Sequence, residues 1–500
     1  FALDRRDHFA RIGIQDLRRY FLDAERRIEE ELGLAQLGGL FDGNEFDDFL
    51  RTDALLKTVL IQRSRKYVKE SEALTENAPV FPVRQLPRVV GYSLRSVYES
   101  LYTELKDAFD KDNPFLSLAV YNTSAYDRTP EKRQVQQQKQ VIGLIRTLLL
   151  KRLESSFKAF EASVEDLLVK MVLFVKKWSP ERYDAWDSTN RRWWSIVQTH
   201  VEERLEREGF EEDDNLPDDD LSLFDPREHD MDALLRDVEE DMRLLTDFLS
   251  KIYRRFYVHG REGVEEDPTK DDKLQQLLKT LQEEKLLNGR KVLIFTEFKD
   301  TARYLARQLK DAGLKNLEQI DSGRNVDNRE DVIKRFAPHY NCRFTKDNLF
   351  DSEFERAMKS PIDVLISTDV LSEGLNLQDA SLMMNYDLHW NPVRLMQRIG
   401  RVDRRLNSDI EKVLKRPADL DGKVYFWNFL PPDELDDLLK LKKRVSGKIV
   451  RINKTLGIEG ALLSPDDPEM SLKEFNEKYE GQDNIEELMH LEQQRLSLAH

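Results

Sequence analysis

The stretch KVLIFTEF (291–298) decides how this chain is read: four consecutive apolar residues, Val292 to Phe295, run into a threonine and then into a helical pattern. A strand covered on both faces shows a short unbroken apolar run, whereas a half-exposed strand alternates. Three similar runs follow, Val364-Leu365-Ile366, Leu382-Met383-Met384 and Val424-Tyr425-Phe426-Trp427. Helical segments separate them. Over 300–312, Ala302, Leu305, Ala306 and Leu309 share a face, with Asp300 placed to cap; residues 327–336 open with Asp327 and Glu330 at capping-box spacing. Buried strands alternating with helices imply an α/β fold, a parallel sheet wrapped by helices, whose ligand lies beyond the carboxyl ends of the strands.

Outward from this core the texture changes. Residues 1 to about 260 are mostly helical, and 141–178 read as one long amphipathic stretch carrying Val141, Ile145, Leu148, Phe160, Val164, Leu168, Met171 and Val175. Five hundred residues exceed what one core organises, so two to four units are expected. The net charge of −16 is local: residues 202–241 hold 19 acidic residues against four arginines, which reads as a solvated linker, and the rest is nearly neutral. The basic clusters Arg63-Ser64-Arg65-Lys66 and Lys151-Arg152 read as ordinary surface. A single cysteine, Cys342, excludes an internal disulfide and a cysteine metal cluster. No apolar run of about 18 residues occurs, so no membrane partner is expected and the cytoplasm is the expected location. His259, His339 and His389 lack metal-ligand spacing, and no metal site is expected.

The most informative helix begins at Asn391, a good N-cap, followed by Pro392 in the first turn. Leu395, Ile399 and Val402 share one face; Gln397, Arg401 and Arg404 line another. Residues 394–405 contain five arginines and no lysine. Guanidinium is planar, forked and permanently charged, so it matches phosphate oxygens. A solvated basic helix would explain the charge, but not the lysine-free spacing or Gly400 in the helix interior. Upstream, STDVLSEGLNLQ (367–378) follows a strand with small hydroxyls and a glycine, which let a backbone approach phosphate.

The order VLIFTEF (292–298), STDVLSEGLNLQ (367–378), YDLHWNP (386–392) and QRIGRVDR (397–404) resembles motifs IV, V and VI of superfamily 2 helicases. The likeness is to Swi/Snf-type ATPases, and among these to bacterial HepA/RapA-like proteins, many of which sit in phage-defence systems. It covers about 284–430, and more loosely VLIQRSRK (59–66) with LPRVVGYSL (86–94), similar to the segment linking the two lobes, and LLKRLESS (149–156). It implies a RecA-like C-terminal lobe over 284–430. The flanks are then a first-lobe tail at 1–50, a mainly helical region at 51–283 and a helical brace at 431–500. By the same resemblance Arg401 and Arg404 are arginine fingers, and Gly374, Asn376 and Gln397 lie near the nucleotide. Ser367, Thr368, Thr296 and Gly323 then face a nucleic-acid strand. Two departures bear on the subfamily: Arg405-Leu406-Asn407 after Arg404, and an insertion-like stretch at 337–361.

No GxxxxGK[ST] loop occurs, and no DExx carboxylate pair follows an early strand. The implied cofactors, ATP and Mg²⁺, would therefore be held mainly by a first RecA-like lobe, expected upstream of Phe1 or on another chain. The implied activity is ATP-driven translocation along DNA, duplex by resemblance, with protein partners engaged through the helical region. The competing reading is a non-catalytic scaffold that keeps a helicase-like lobe.

Overall fold

The computed structural model describes residues 19, 80–108, 115–208, 226–259, 264–321, 329–343, 351–369, 376–389, 391–432 and 463. The chain divides into two units, residues 1–80 with 444–500, and residues 81–443, and the second contains the sheet. The first-lobe tail expected at 1–50 and the brace expected at 431–500 lie outside the described residues, apart from Arg19, Pro431, Pro432 and Leu463.

In chain order the main elements are β1 (Val83–Arg84), β2 (Arg88–Val90), α1 (Lys132–Ser155), α2 (Phe157–Trp178), α3 (Pro180–Glu208) and α4 (Met231–Phe256). There follow α5 (Asp272–Glu283), β3 (Val292–Phe295), α6 (Lys299–Asp311), β4 (Leu317–Ile320), α7 (Arg329–Phe336), β5 (Val364–Ser367), β6 (Leu382–Asn385), α8 (Pro392–Val402) and β7 (Lys423–Phe429). The sheet has seven strands in the order β1-β7-β6-β3-β5-β4, with β2 also on β7, and every pair is parallel. The four strands read from apolar runs all form. β3, β5 and β6 are buried along their whole length, as strands covered by helices on both faces must be.

Two parts of the sheet were not legible. β4, Leu-Glu-Gln-Ile, buries only its two end residues, because it is an edge strand and its centre faces partly to water. β1 and β2 come from the region expected to be mainly helical. They join at the other edge, where Val83 pairs with Lys423 and Val90 with Phe429.

Local chemistry departs from expectation in three more places. Asp300 is not the cap of α6: Phe298 holds that position without a side-chain bond, and Asp300 lies in the first turn. Asp327 lies outside the described residues. The single helix expected over 141–178 is two, because Ser156 turns extended (φ −162°, ψ 158°) and its Oγ caps α2 by accepting the Ala159 N–H at 3.1 Å. The acidic segment is also not a linker throughout: residues 202–208 end α3 and 231–241 begin α4. Asp241 is fully buried there, accepting from the Ser117 N–H and Oγ and the Ala119 N–H at 2.7 to 2.9 Å.

Candidate nucleotide-sensing site

α8 begins as its sequence dictates. The Asn391 side chain accepts the Val393 N–H at 3.0 Å, Pro392 follows, and Leu395, Ile399 and Val402 are buried against the sheet. A helix that crosses between parallel strands runs back along them. α8 therefore starts at the carboxyl end of β6 and carries Arg401 and Arg404 beside the segment that enters β6. There the Leu377 N–H donates to the Arg401 carbonyl at 3.3 Å, and Arg404 Nη1 donates to Asn376 Oδ1 at 2.7 Å. The Asn376 carbonyl is itself fixed by Asn341 Nδ2 at 2.7 Å, from the stretch preceding β5. Asn376 and the end of α8, separated in the chain by β6, thus meet at one place.

The two arginines differ. Arg401 is buried at 6% exposure, although its sequence position put it on a polar face. Arg404 is half-buried and folds back over the helix, its Nε donating to the Gly400 carbonyl at 3.0 Å. Burial pulls its guanidinium below the usual value. Gln397 is exposed on the same helix. Gly374 and Gly323 lie outside the described residues.

The carboxyl ends of β3 and β6, where a parallel sheet first suggests a ligand, are filled by the chain itself. Asp387, just past β6, accepts from Thr296 Oγ1 at 2.5 Å, Ser155 Oγ at 2.7 Å and the Glu297 N–H at 2.7 Å. Thr296 is fully buried, and its N–H goes to the Ser367 carbonyl at 3.0 Å. Ser367 is also buried and donates to the Thr368 carbonyl at 2.7 Å. Thr368 is buried too, but its hydroxyl has no hydrogen-bond partner among the described residues.

The segment 151–156 docks on this end with nearly every polar side chain engaged. Lys151 pairs with Glu297 at 2.9 Å, Arg152 with Asp300 at 3.7 Å and Glu154 with Lys273 at 3.0 Å, while Ser155 and Ser156 reach Thr301 at 2.8 and 2.7 Å. Lys151 and Arg152 are therefore buried ion-pair partners, not ordinary surface. No sequence period marks this, since it depends on which loop the helix break meets.

A third arginine was missed. Arg398 is completely buried; it grips Asp369 with Nε at 2.6 Å and Nη2 at 2.9 Å, and donates from Nη1 to the Asp387 carbonyl at 3.0 Å. Burial alone would push the Asp369 carboxyl up, but the Arg398 charge and hydrogen bonds outweigh it and hold it below the usual range. Arg398 thus ties the end of β5 to the end of β6.

His389 lies in the same crevice. Its Nδ1 accepts the Asn391 N–H at 2.9 Å, a role open only to the neutral ring. Burial, aided by Lys151 and Arg398, pulls its pKa down to about 2. An unfolded histidine titrates near 6.5. Its stability contribution is therefore complete above that pH and declines as pH falls, by up to about 1.4 kcal/mol per pH unit. Melting temperatures measured from about pH 6.5 to 4.5 are expected to fall with this slope in the native protein and to flatten in His389→Gln. An equal slope in both would assign the loss to other groups.

Residues 269–405 match the helicase conserved C-terminal domain. An uncharacterized ATP-dependent helicase, YqhH of Bacillus subtilis, is 36% identical over 114 residues, 23% of this chain and 16% of that protein. The probable ATP-dependent RNA helicase MJ0669 of Methanocaldococcus jannaschii is 31% identical over 109 residues, 22% of this chain and 24% of its own. The solved C-terminal part of the Fun30 ATPase domain aligns over 82% of this chain and 99% of its own at 14% identity, with a TM-score of 0.34. The chain spans less than a quarter of the length of these two curated relatives. On the sheet topology, the order of its segments and the family match, residues 269–405 form a RecA-like helicase C-terminal lobe.

Proposed function

We propose that this chain carries the second lobe of an ATP-dependent motor, stimulated by nucleic acid, that moves along duplex DNA or remodels protein–DNA complexes. Arg404 is the observation that supports the reading best. It is a half-buried cation whose partners among the described residues are the neutral oxygens of Asn376 and Gly400. A partly desolvated cation without a carboxylate gains most from an incoming anion. A phosphoryl group being transferred is such an anion, and its charge peaks in the transition state.

In this reading a P-loop lobe carries ATP and most of the Mg²⁺ ligation. Arg401 and Arg404 donate to the γ-phosphoryl oxygens; Asn376 sets the Arg404 rotamer, and Gly374 and Gln397 border the nucleotide. Of the residues expected at the strand, Thr368 has a hydroxyl to spare, whereas Thr296 and Ser367 act through the loops they anchor; Gly323 keeps its expected contact to the strand by resemblance alone. Phosphate contacts of this kind carry little sequence information and weaken with salt.

Gly400 supports the same cleft. A Cβ there would meet nothing within 4 Å, so no described neighbour in this lobe requires glycine. The open space is read as room for the facing lobe and its nucleotide. Gly400→Ala is expected to stabilise the helix by roughly 0.5–1 kcal/mol, yet to lower ATP turnover about tenfold or more by displacing the fingers. Unchanged turnover would show the space to be idle.

The direct test is ATP hydrolysis by the full-length protein with duplex DNA, single-stranded DNA or RNA, across a salt series. Stimulation by duplex DNA that fades with salt is expected. Absence of any ATP hydrolysis would leave the non-catalytic scaffold as the reading, and stronger stimulation by RNA would reassign the track.

A further inference from the structure

The strand β1 does more than close an edge of the sheet. Its backbone is clipped to β7 on both sides of Arg84: the Val83 N–H donates to the Gly422 carbonyl at 2.7 Å and the Gln85 N–H to the Val424 carbonyl at 2.9 Å. Val83 is left exposed, and the strand alternation turns Arg84 the other way. Its Nε and Nη2 both reach Asp403 Oδ2, at 3.2 and 2.8 Å, across 319 positions of sequence. Pro82 and Val424 line a shared recess with Val402, Leu406 and the polar Gln378 and Arg416.

Asp403 needs such a partner. It is completely buried, and it caps the carboxyl end of α8 with its N–H on the Ile399 carbonyl at 3.0 Å. The helix dipole is negative there, so a carboxylate at this end is disfavoured unless a cation offsets it. The turn at Asp403 (φ −100°, ψ 61°) also sets the direction in which the next residue, Arg404, leaves the helix.

We infer that Arg84 is a positioning residue for the arginine pair: through its ion pair with Asp403 it fixes the end of α8, and so the placement of Arg401 and Arg404, from the strand that precedes the helical region. The inference rests on the motor reading of Arg401 and Arg404. Arg84 lies between VLIQRSRK (59–66) and LPRVVGYSL (86–94), the two segments likened to the interlobe link, so a pull on that link would reach the end of α8 through the Arg84–Asp403 pair.

The test uses the full-length protein and DNA-stimulated ATP hydrolysis, with kcat and KM for ATP measured separately. Arg84→Gln is expected to lower kcat about 10- to 100-fold, the scale of a small misplacement of a catalytic group. KM for ATP should stay within about twofold, because ground-state binding rests on the other lobe. Arg84→Lys, which restores the charge, should recover most of the loss. Arg84→Gln combined with Asp403→Asn should be no slower than the slower single variant, the non-additivity of a coupled pair. Arg404→Ala serves as the control. If Arg404→Ala abolishes turnover while Arg84→Gln keeps the native kcat, the inference fails and the motor reading stands. If Arg404→Ala keeps native turnover, the motor reading fails and takes the inference with it. If Arg84→Gln melts far below the native protein and Arg84→Lys restores folding and activity together, the role is merely structural and the inference is overturned.

Discussion

Alanine at Arg404 is expected to slow nucleic-acid-stimulated ATP hydrolysis of the full-length protein by about 10³-fold or more, the range in which arginine fingers act. The melting temperature should barely move, because the side chain gives up only two bonds to neutral oxygens, Asn376 Oδ1 and the Gly400 carbonyl. Arg401→Ala should match it in rate, but with a measurable loss of stability, since Arg401 is buried. Lysine at 404 should restore little: an ammonium is a compact point charge and cannot keep Asn376 while presenting a planar fork to phosphoryl oxygens. Asn376→Ala should fall between native and Arg404→Ala, because it frees the rotamer and leaves the charge. Native turnover in both arginine variants would remove them from the nucleotide pocket.

The second large effect concerns folding. Arg398→Met strips the charge partner from Asp369 and removes from Asp387, whose pKa burial already raises, the stronger of the two cations that oppose it, leaving Lys273. Breaking a buried pair from one side costs about 3–5 kcal/mol, because the remaining carboxylate stays desolvated and unpaired. In a unit of this size that corresponds to a drop of about 4–7 °C in melting temperature. Restoring part of it by also changing Asp369 to Asn would show that the orphaned charge, and not the lost volume, causes the damage. A single Arg398→Met variant melting within about 1 °C of native would contradict the pairing. These three arginines thus separate by measurement: Arg398 by stability, Arg404 by rate, and Arg401 by both.

Why some of this was legible is a matter of range. The apolar runs at 292–295, 364–366, 382–384 and 424–427 could be read as buried parallel strands, because a strand covered on both faces leaves its mark in consecutive residues. The start of α8 could be read because capping by Asn391 and Pro392 is settled within four residues. The pairing of Arg398 with Asp369 could not, since i to i+3 spacing treats Arg398, Arg401 and Arg404 alike and only the fold decides which one meets a carboxylate. The helix break at Ser156 looked continuous because the apolar period runs through it. What breaks it is the docking of Ser155 and Ser156 against Thr301 and Asp387.

By itself the sequence determined a parallel α/β lobe, the start of its arginine helix and the absence of a P-loop from this chain, since each depends on neighbouring residues or a short spacing. The tertiary structure decided that Asn376 meets Arg404, that residues 151–156 fill the carboxyl-end crevice, and that a strand from residues 83–84 reaches Asp403. Those contacts join segments up to 319 positions apart. Their existence is set by sheet order and by the cost of leaving a buried charge or hydroxyl without a partner, neither of which has a local signature.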